Sequence, residues 1–354
     1  MKKNNKIFLF VTAVICILIV TVLLIRLKDN NSVDLSEDVT AFYKGNSIRF
    51  IVPSSPGGGF DEYTRMLVPY LEKHSGATVK VINRPGAGGM LAANELFQSP
   101  RDGLTIGMMN GLAMVTNRLV GIEGANYIVE EFEYLGRVVD DRRVLSIAID
   151  NKIQTIDDVW NSVEIIKLGA TGLGGSAYVD GVISKEAFKM NVQIIHGFDS
   201  SSAVRQSLLR GNIDGAWGSY GSAEDGVEAG LERIILQSGR QRSKDIPDVP
   251  AIFEFIDRTE DPVRTEKILS AWDALISVGR PVATAPGTQE NRVAFLRAVF
   301  AKAMNDPEFI QRAAQAGREI NFASSDEMME IIIGATQMDP DIEALFTRAV
   351  RGEL

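Results

Sequence analysis

The sequence predicts an α/β protein built from two similar modules. Three observations carry this. From Ile48 onward short apolar runs alternate with amphipathic stretches, the pattern of strand–helix–strand units around a parallel sheet. Two strand-to-helix junctions are rich in glycine and hydroxyl residues, Ser54–Asp61 early in the chain and Thr171–Ser176 near its middle. The part of the chain after the N-terminal segment runs to about 310 residues, enough for two medium domains with ample cores.

The N-terminus is set aside first. Lys2, Lys3 and Lys6 precede Ile7–Ile25, an apolar run broken only by Thr12 and Thr21 and long enough to span a bilayer. Arg26-Leu27-Lys28 follows, with no small-x-small cleavage pattern, and Cys16 lacks the preceding small residue of a lipoprotein site. Residues 1–28 therefore read as an uncleaved membrane anchor with the rest of the chain outside, the alternative being a cleaved signal peptide. Residues 29–46 read as a polar linker with a short helix near Glu37–Tyr43.

In the first module Ile48–Val52 is a strand. Asp61–His74 is a helix with Tyr63, Met66, Leu67, Tyr70 and Leu71 on one face, kinked by Pro69 and ended by Gly76. Thr78–Ile82 is the second strand, Gly89–Gln98 a helix, Thr105–Met109 the third strand, and Leu135–Ile149 one extended segment. The second module starts with a helix, Ile156–Trp160, capped by Thr155, and a strand, Ile165–Ala170. Helix Tyr178–Lys189, strand Val192–Ile195, helix Ser202–Arg210 behind capping serines, and strand Ile213–Trp217 follow. The last third is helical: Asn291–Met304, a helix opened by Asp306-Pro307, then Asp326–Thr336 and Asp341–Val350. The expected division is 47–145 and 270–354 for the first lobe and 146–269 for the second.

Charge excludes some partners. With 37 basic and 46 acidic residues the chain carries −9, and without the basic N-terminus 32 face 46. Such a surface suits neither nucleic acid nor an anionic membrane face. An anion site here has to work through local dipoles rather than the global field. The two histidines, His74 and His196, lie far apart in sequence and Cys16 is the one cysteine, so metal-ligand spacing is absent and no cofactor is expected. No Walker A or Gly-x-Ser-x-Gly pattern occurs. Asn83-Arg84-Pro85-Gly86-Ala87-Gly88-Gly89 imitates a dinucleotide fingerprint but lacks its third glycine, so it reads as a turn packed near the cleft.

The stretch Ser47–Asp61, SIRFIVPSSPGGGFD, is the most informative. Glycine allows close backbone approach, and the helix that follows points free N–H groups at the loop, a candidate carboxylate or phosphate site. A tight turn without ligand fits the same residues. Thr171–Ser176 is its counterpart in the second module. Trp217-Gly218-Ser219 closes a strand where aromatics either wall a cleft or fill the core.

In order along the chain, IRFIVPSSPGGGFDEYTRML, VKVINRPGAGGMLAANEL, SPRDGLTIGMMN, LGATGLGGSAYVDG, IIHGFDSSSAVRQSLLRGNIDGAW, SKDIPDVPAIFEF and APGTQENRVAFLRAVFAKAMNDPEF give the chain a familiar face. It resembles the solute-binding proteins of tripartite tricarboxylate transporters, the Bug-type receptors, from Ser47 to Leu354. The resemblance implies a two-lobed, periplasmic-binding-protein-like fold of the type II, Venus-flytrap kind, its lobes joined by two crossover strands. It implies an extracytoplasmic, non-enzymatic receptor that takes a small carboxylate in the cleft and delivers it to large and small membrane subunits. A ligand-sensing co-receptor of a signalling protein is the alternative. Carried over by position, the ligand-binding residues are Ser54, Ser55, Gly57, Gly58, Gly59, Phe60 and Asp61 in the first loop. Thr171, Gly172, Gly174, Gly175 and Ser176 form the facing loop, with Asn110, Gly197 and Ser219 at the ends of other strands. Phe60 departs from the small hydroxyl residue usual before the Asp, Tyr178 lies near a common His position, and His196-Gly197 replaces Lys-Gly.

Overall fold

A computed structural model describes residues 39–354; the expected anchor Ile7–Ile25 and the linker up to residue 38 lie outside them. Two units divide the chain. One ends at Phe42, and its described part, residues 39–42, begins helix α1 (Val39–Lys44). The other, Tyr43–Leu354, holds everything else described here.

The first module runs β1 (Ser47–Val52), α2 (Gly59–Ser75), β2 (Thr78–Asn83), α3 (Met90–Phe97), β3 (Thr105–Met108), α4 (Gly111–Leu119) and β4 (Glu133–Arg137). The second runs β5 (Arg143–Ala148), α5 (Ile156–Trp160), β6 (Ile166–Gly169), α6 (Ser176–Phe188), β7 (Val192–Ile195), α7 (Ser201–Leu209), β8 (Gly215–Ser219), α8 (Tyr220–Glu228) and β9 (Glu232–Gln237). The chain then returns through α9 (Pro262–Val278) to β10 (Pro281–Thr284) and ends in α10 (Glu290–Met304), α11 (Pro307–Gln315), α12 (Ser325–Thr336) and α13 (Pro340–Val350).

Local signals fix many of these ends. Thr155 and Asp158 form a reciprocal capping box on α5, as Ser324 and Glu327 do on α12. Asp306 caps α11 ahead of Pro307, and the Gly76 N–H closes α2 on Glu72 O.

Both sheets are mixed, where the alternating pattern predicts parallel ones. Their orders are β2-β1-β3-β10-β4 and β7-β6-β8-β5-β9. Within each, the first three strands are parallel and the fourth is antiparallel to its neighbours. The fourth strand is in each case the one that follows a crossing from the other module. Leu135–Ile149, expected as one segment, is therefore two strands in different sheets, broken at 138–142 where the chain crosses. The expected division brings the chain back to the first lobe at 270, but α9 and β10, the elements of that return, have no counterpart in the sequence reading, nor do α4, α8 and β9.

One apolar core spans the two sheets. Tyr134 of the first, Trp217 of the second and Leu269, Trp272 and Ile276 of α9 belong to one cluster of buried side chains. Trp272 is fully buried, meets Trp217 edge-on at 5.4 Å, and donates from Nε1 to Asp180 Oδ1 at 2.9 Å.

At the first crossing Arg142 gathers residues from distant segments. It donates to Ser243 Oγ, to Asp245 Oδ2 (3.2 Å) in the loop after β9, and to Glu319 Oε1 (3.1 Å) after α11. Burial pushes the Glu319 carboxyl up to about 7, its hydrogen bond to Asp245 and the charges of Asp245 and Asp140 adding to this, with Arg142 opposing. The same bond holds Asp245 below its usual range. Below about pH 7 the proton between the two carboxyls thus sits on Glu319. Tyr63 Oη donates to the Glu319 main-chain oxygen at 2.9 Å.

Two predictions follow from the packing and this proton. Trp272→Ala should lower unfolding free energy by about 3–5 kcal/mol, measured by urea denaturation; a loss under about 1 kcal/mol would mean that the ring does not tie the sheets together. For Glu319, a folded-state pKa of about 7 against an ordinary 4.5 means that the native state holds the extra proton between those values. Its stabilising contribution is complete below 4.5 and is lost as pH rises through about 7. Wild type should therefore lose stability relative to Glu319→Gln between about pH 5 and pH 8. Parallel melting curves for the two proteins across that range would contradict it.

Candidate functional site

A cavity of about 660 Å³ lies where the strand-to-helix loops of the two modules face each other. Pro53, Ser54, Ser55, Gly58, Gly59 and Phe60 line it from the β1–α2 loop, and Pro85, Gly86, Ala87, Gly88 and Gly89 from the β2–α3 loop. Asn110 contributes from the end of β3. The second module supplies Thr171, Gly172, Ser176 and Ala177, the Phe198–Arg205 region through Ser200, Ser201 and Val204, Ser219 at the end of β8, and Ser222 in the first turn of α8.

Five helices start at this wall. Gly58, Gly175 and Ser219 are the N-caps of α2, α6 and α8, and no side chain caps these three. Ser200 caps α7, accepting from Ala203 N at 3.1 Å, and Asn110 caps α4 through Ala113 N at 3.3 Å. Each helix start directs a partial positive charge at the cavity, a local favourable term for an anion in an otherwise acidic protein.

The two modules touch at one edge of the cavity. Gly88 has φ +65, and a Cβ there would lie 2.8 Å from the Gly175 Cα, so two bare backbones meet. Asn110 bonds both sides, donating to Gly88 O (3.1 Å) and accepting from Ser176 Oγ (2.8 Å).

Five expected site residues stand behind the wall rather than in it. Asp61 is 2 % exposed, and its oxygens accept from Gly57 N (2.9 Å), Arg65 Nε (2.8 Å) and Asn83 Nδ2 (2.8 Å). Burial raises its pKa, but those bonds outweigh it and hold the carboxyl below its usual range. Asp61 is thus an ionised strut that ties the loop to β2, and it consumes the Gly57 N–H. Gly174 backs onto Asn117 and Val350, Gly175 onto Gly88, and Gly197 donates its N–H to Thr171 O. Tyr178 and His196 pair edge-on at 5.4 Å outside the wall, and His74 Nε2 meets Asp306 Oδ2 at 2.9 Å.

Sequence reasoning missed the arginines. Both Gly-rich loops lack Arg and Lys, yet Arg143, Arg205 and Arg280 line the cavity, together with Asp141. Arg143 bonds Asp180 Oδ2 (2.7 Å) and Asp141 Oδ2 (2.8 Å), and Arg205 pairs with Glu232. Arg280 donates from Nη1 to Gly59 O (2.8 Å) and from Nη2 to Ser219 Oγ (3.2 Å) and Asp141 Oδ1 (3.4 Å). Its guanidinium lies over the rings of Phe60 (4.7 Å) and Tyr63 (4.5 Å). The one local signal for these residues is charge inside otherwise apolar runs, as in Val278-Gly279-Arg280-Pro281-Val282. Binding mainly by main-chain N–H groups, aided by Ser and Thr hydroxyls and helix N-termini, the reading the two loops suggest, leaves these three side chains out. Among the described residues no cluster of three or more His, Cys, Asp or Glu is placed to hold a metal, and no helix is long and apolar enough to cross a membrane.

Comparison with known proteins places this geometry. Residues 64–343 match the family described as tripartite tricarboxylate transporter family receptor. The chain is 26% identical over 290 residues to a protein from the gbd 5′ region of Cupriavidus necator, covering 79% of this chain and 81% of that one. It is 23% identical to BugT of Bordetella pertussis, covering 83% and 87%. Among solved structures, the periplasmic binding protein BugD aligns with a TM-score of 0.71 at 21% identity, over 86% of this chain and 97% of that one. MatC of Rhodopseudomonas palustris, solved with bound malate, aligns with a TM-score of 0.68 at 18% identity, over 85% and 99%. The fold is that of two-lobed periplasmic binding proteins, and the chain belongs to the tripartite tricarboxylate transporter receptor family, as a solute-binding receptor and not an enzyme.

Proposed function

We propose that this protein captures a small di- or tricarboxylate, or a related organic acid, outside the cytoplasmic membrane and delivers it to the large and small membrane subunits of a tripartite tricarboxylate-type transporter. The observation that carries the reading is the cavity itself. Five helix starts and serine-rich loops from both modules converge on one space large enough for such an acid. Relatives of the same fold were solved with malate and with adipate, which sets the size range to try first.

The lobes divide at the two chain crossings, 138–142 and α9–β10. Open and closed arrangements differ by little free energy, and a ligand touching loops of both lobes favours the closed one. The Gly88–Gly175 contact is the closed-state seam. The apolar run Ile7–Ile25 tethers the receptor to the membrane, keeping it near its transporter.

A thermal-shift screen over organic acids tests the reading. A true ligand at a hundred times its Kd should stabilise by about 2.7 kcal/mol. Small-angle scattering should then show a smaller radius of gyration at saturation. A panel of di- and tricarboxylates with no stabilising member would sink the carboxylate assignment, and an unchanged radius would sink closure.

A further inference from the structure

We propose that Arg280 takes a carboxylate of the ligand directly, as a charge-paired contact in addition to the main-chain N–H groups of the loops. The inference rests on the receptor reading above and names the group within that cavity that reads the anion.

Arg280 is 3 % exposed and yet forms part of the cavity wall. A guanidinium has five N–H donors. Nη1 has one good acceptor, Gly59 O at 2.8 Å, while the two bonds from Nη2, at 3.2 and 3.4 Å, are long for charge-assisted contacts. Nε is buried with no partner at all. Its countercharge is equally incomplete. Asp141 lies 2.8 Å from Arg143 and 3.4 Å from Arg280, and Arg143 has a second carboxylate, Asp180, to itself. Of the two guanidinium groups that share Asp141, Arg280 is the undercompensated one. A buried cation in that condition is costly, and an incoming anion relieves the cost.

The corner around it suits a carboxylate. Ser219 Oγ and Ser222 Oγ lie 2.6 Å apart there, at the uncapped start of α8. Gly59 leaves the approach clear. A Cβ at that position would sit 3.1 Å from Ser222 Oγ and 3.4 Å from both Nη atoms, so hydroxyl and guanidinium donors converge on one small volume. Phe60 and Tyr63 stack on the guanidinium and keep it in place. This gives Phe60, out of pattern in the sequence, a role as the residue that positions Arg280.

The test uses the full-length protein, adipate and malate as probes, their neutral diamides as controls, and calorimetry. Wild type should prefer each acid to its diamide. Arg280→Gln should weaken acid binding at least about tenfold and shrink that preference, and Arg280→Lys, which keeps the charge and loses the fork, should fall between the two. Melting curves without ligand show whether each variant folds; if Arg280→Gln does not, the Lys variant decides by whether its preference drops. Equal acid affinity and equal preference in wild type and variants overturn the Arg280 assignment while the receptor reading stands. A wild type that binds neither acid overturns this assignment for both probes and counts against the receptor reading as well.

Discussion

The arrangement depends on how the chain buries Arg143. The first crossing between the sheets delivers this residue to the start of β5 with only 4 % of its surface exposed. An unpaired guanidinium there would cost several kcal/mol. Asp141, two residues earlier, and Asp180 on α6 neutralise it. Asp180 in turn accepts from Trp272 on α9, the helix of the return crossing. Both passages of the chain are thus tied to one network. Such a network adds little net stability over an apolar core of the same shape, but breaking one partner is expensive. Its consequence is geometric: α6, α9 and the start of β5 are fixed relative to one another, and with them the side of the cavity where Asp141 and Arg280 sit.

A second constraint is electrostatic. The chain is acidic, so the far field does not draw anions toward it. Beyond about 8 Å at physiological salt that field is screened anyway, and what counts at the site is near at hand. Each helix start contributes roughly half a positive charge within its first turn, and five of them meet at one wall. The arginines there arrive largely with their own carboxylates, which limits repulsion among them in the empty cavity. Asp61 would add negative charge near this wall, but its three hydrogen bonds hold it behind the wall as a strut, while Asp141, which does line the cavity, pairs with Arg143 and Arg280.

Much of the fold was legible because its signals are local. The apolar run, proline and glycine sequence of β1 and its loop, the Thr155 capping box, and Asp306-Pro307 each announce an element within a few residues. The β1–α2 and β6–α6 loops were identified for the same reason, and Ser54, Ser55, Gly58, Gly59, Phe60, Thr171, Gly172 and Ser176 do face the cavity. What escaped was set by long-range pairing. Nothing in Leu135–Ile149 says that its two halves join different sheets, because both are apolar strands and the break is visible only in their partners. The expected division brings the chain back to the first lobe at 270 without naming α9 or β10 as the elements of that return. Arg280 finds its acceptors 221 and 139 positions away, so no window of sequence shows them together. The side on which Asp61 lies depended likewise on Asn83, at the end of another strand.

Phe60 brings these threads together. Judged by its neighbours it is an anomaly, a large ring in the first turn of α2 behind a run of proline, serine and glycine. Judged by its contacts it is the face on which a buried cation rests, a contact worth about 0.5–2 kcal/mol. The ring and the guanidinium make sense only as a pair. A small residue at 60 would strip one support from Arg280, and a neutral residue at 280 would leave a phenyl ring facing a polar corner. The first loop, held by Asp61 and its glycines, is joined to that pair through the Gly59 main-chain oxygen, which accepts from Arg280 Nη1. On the proposed reading the loops set where an anion would sit, and the return crossing, through Arg280, sets how strongly its charge would be met.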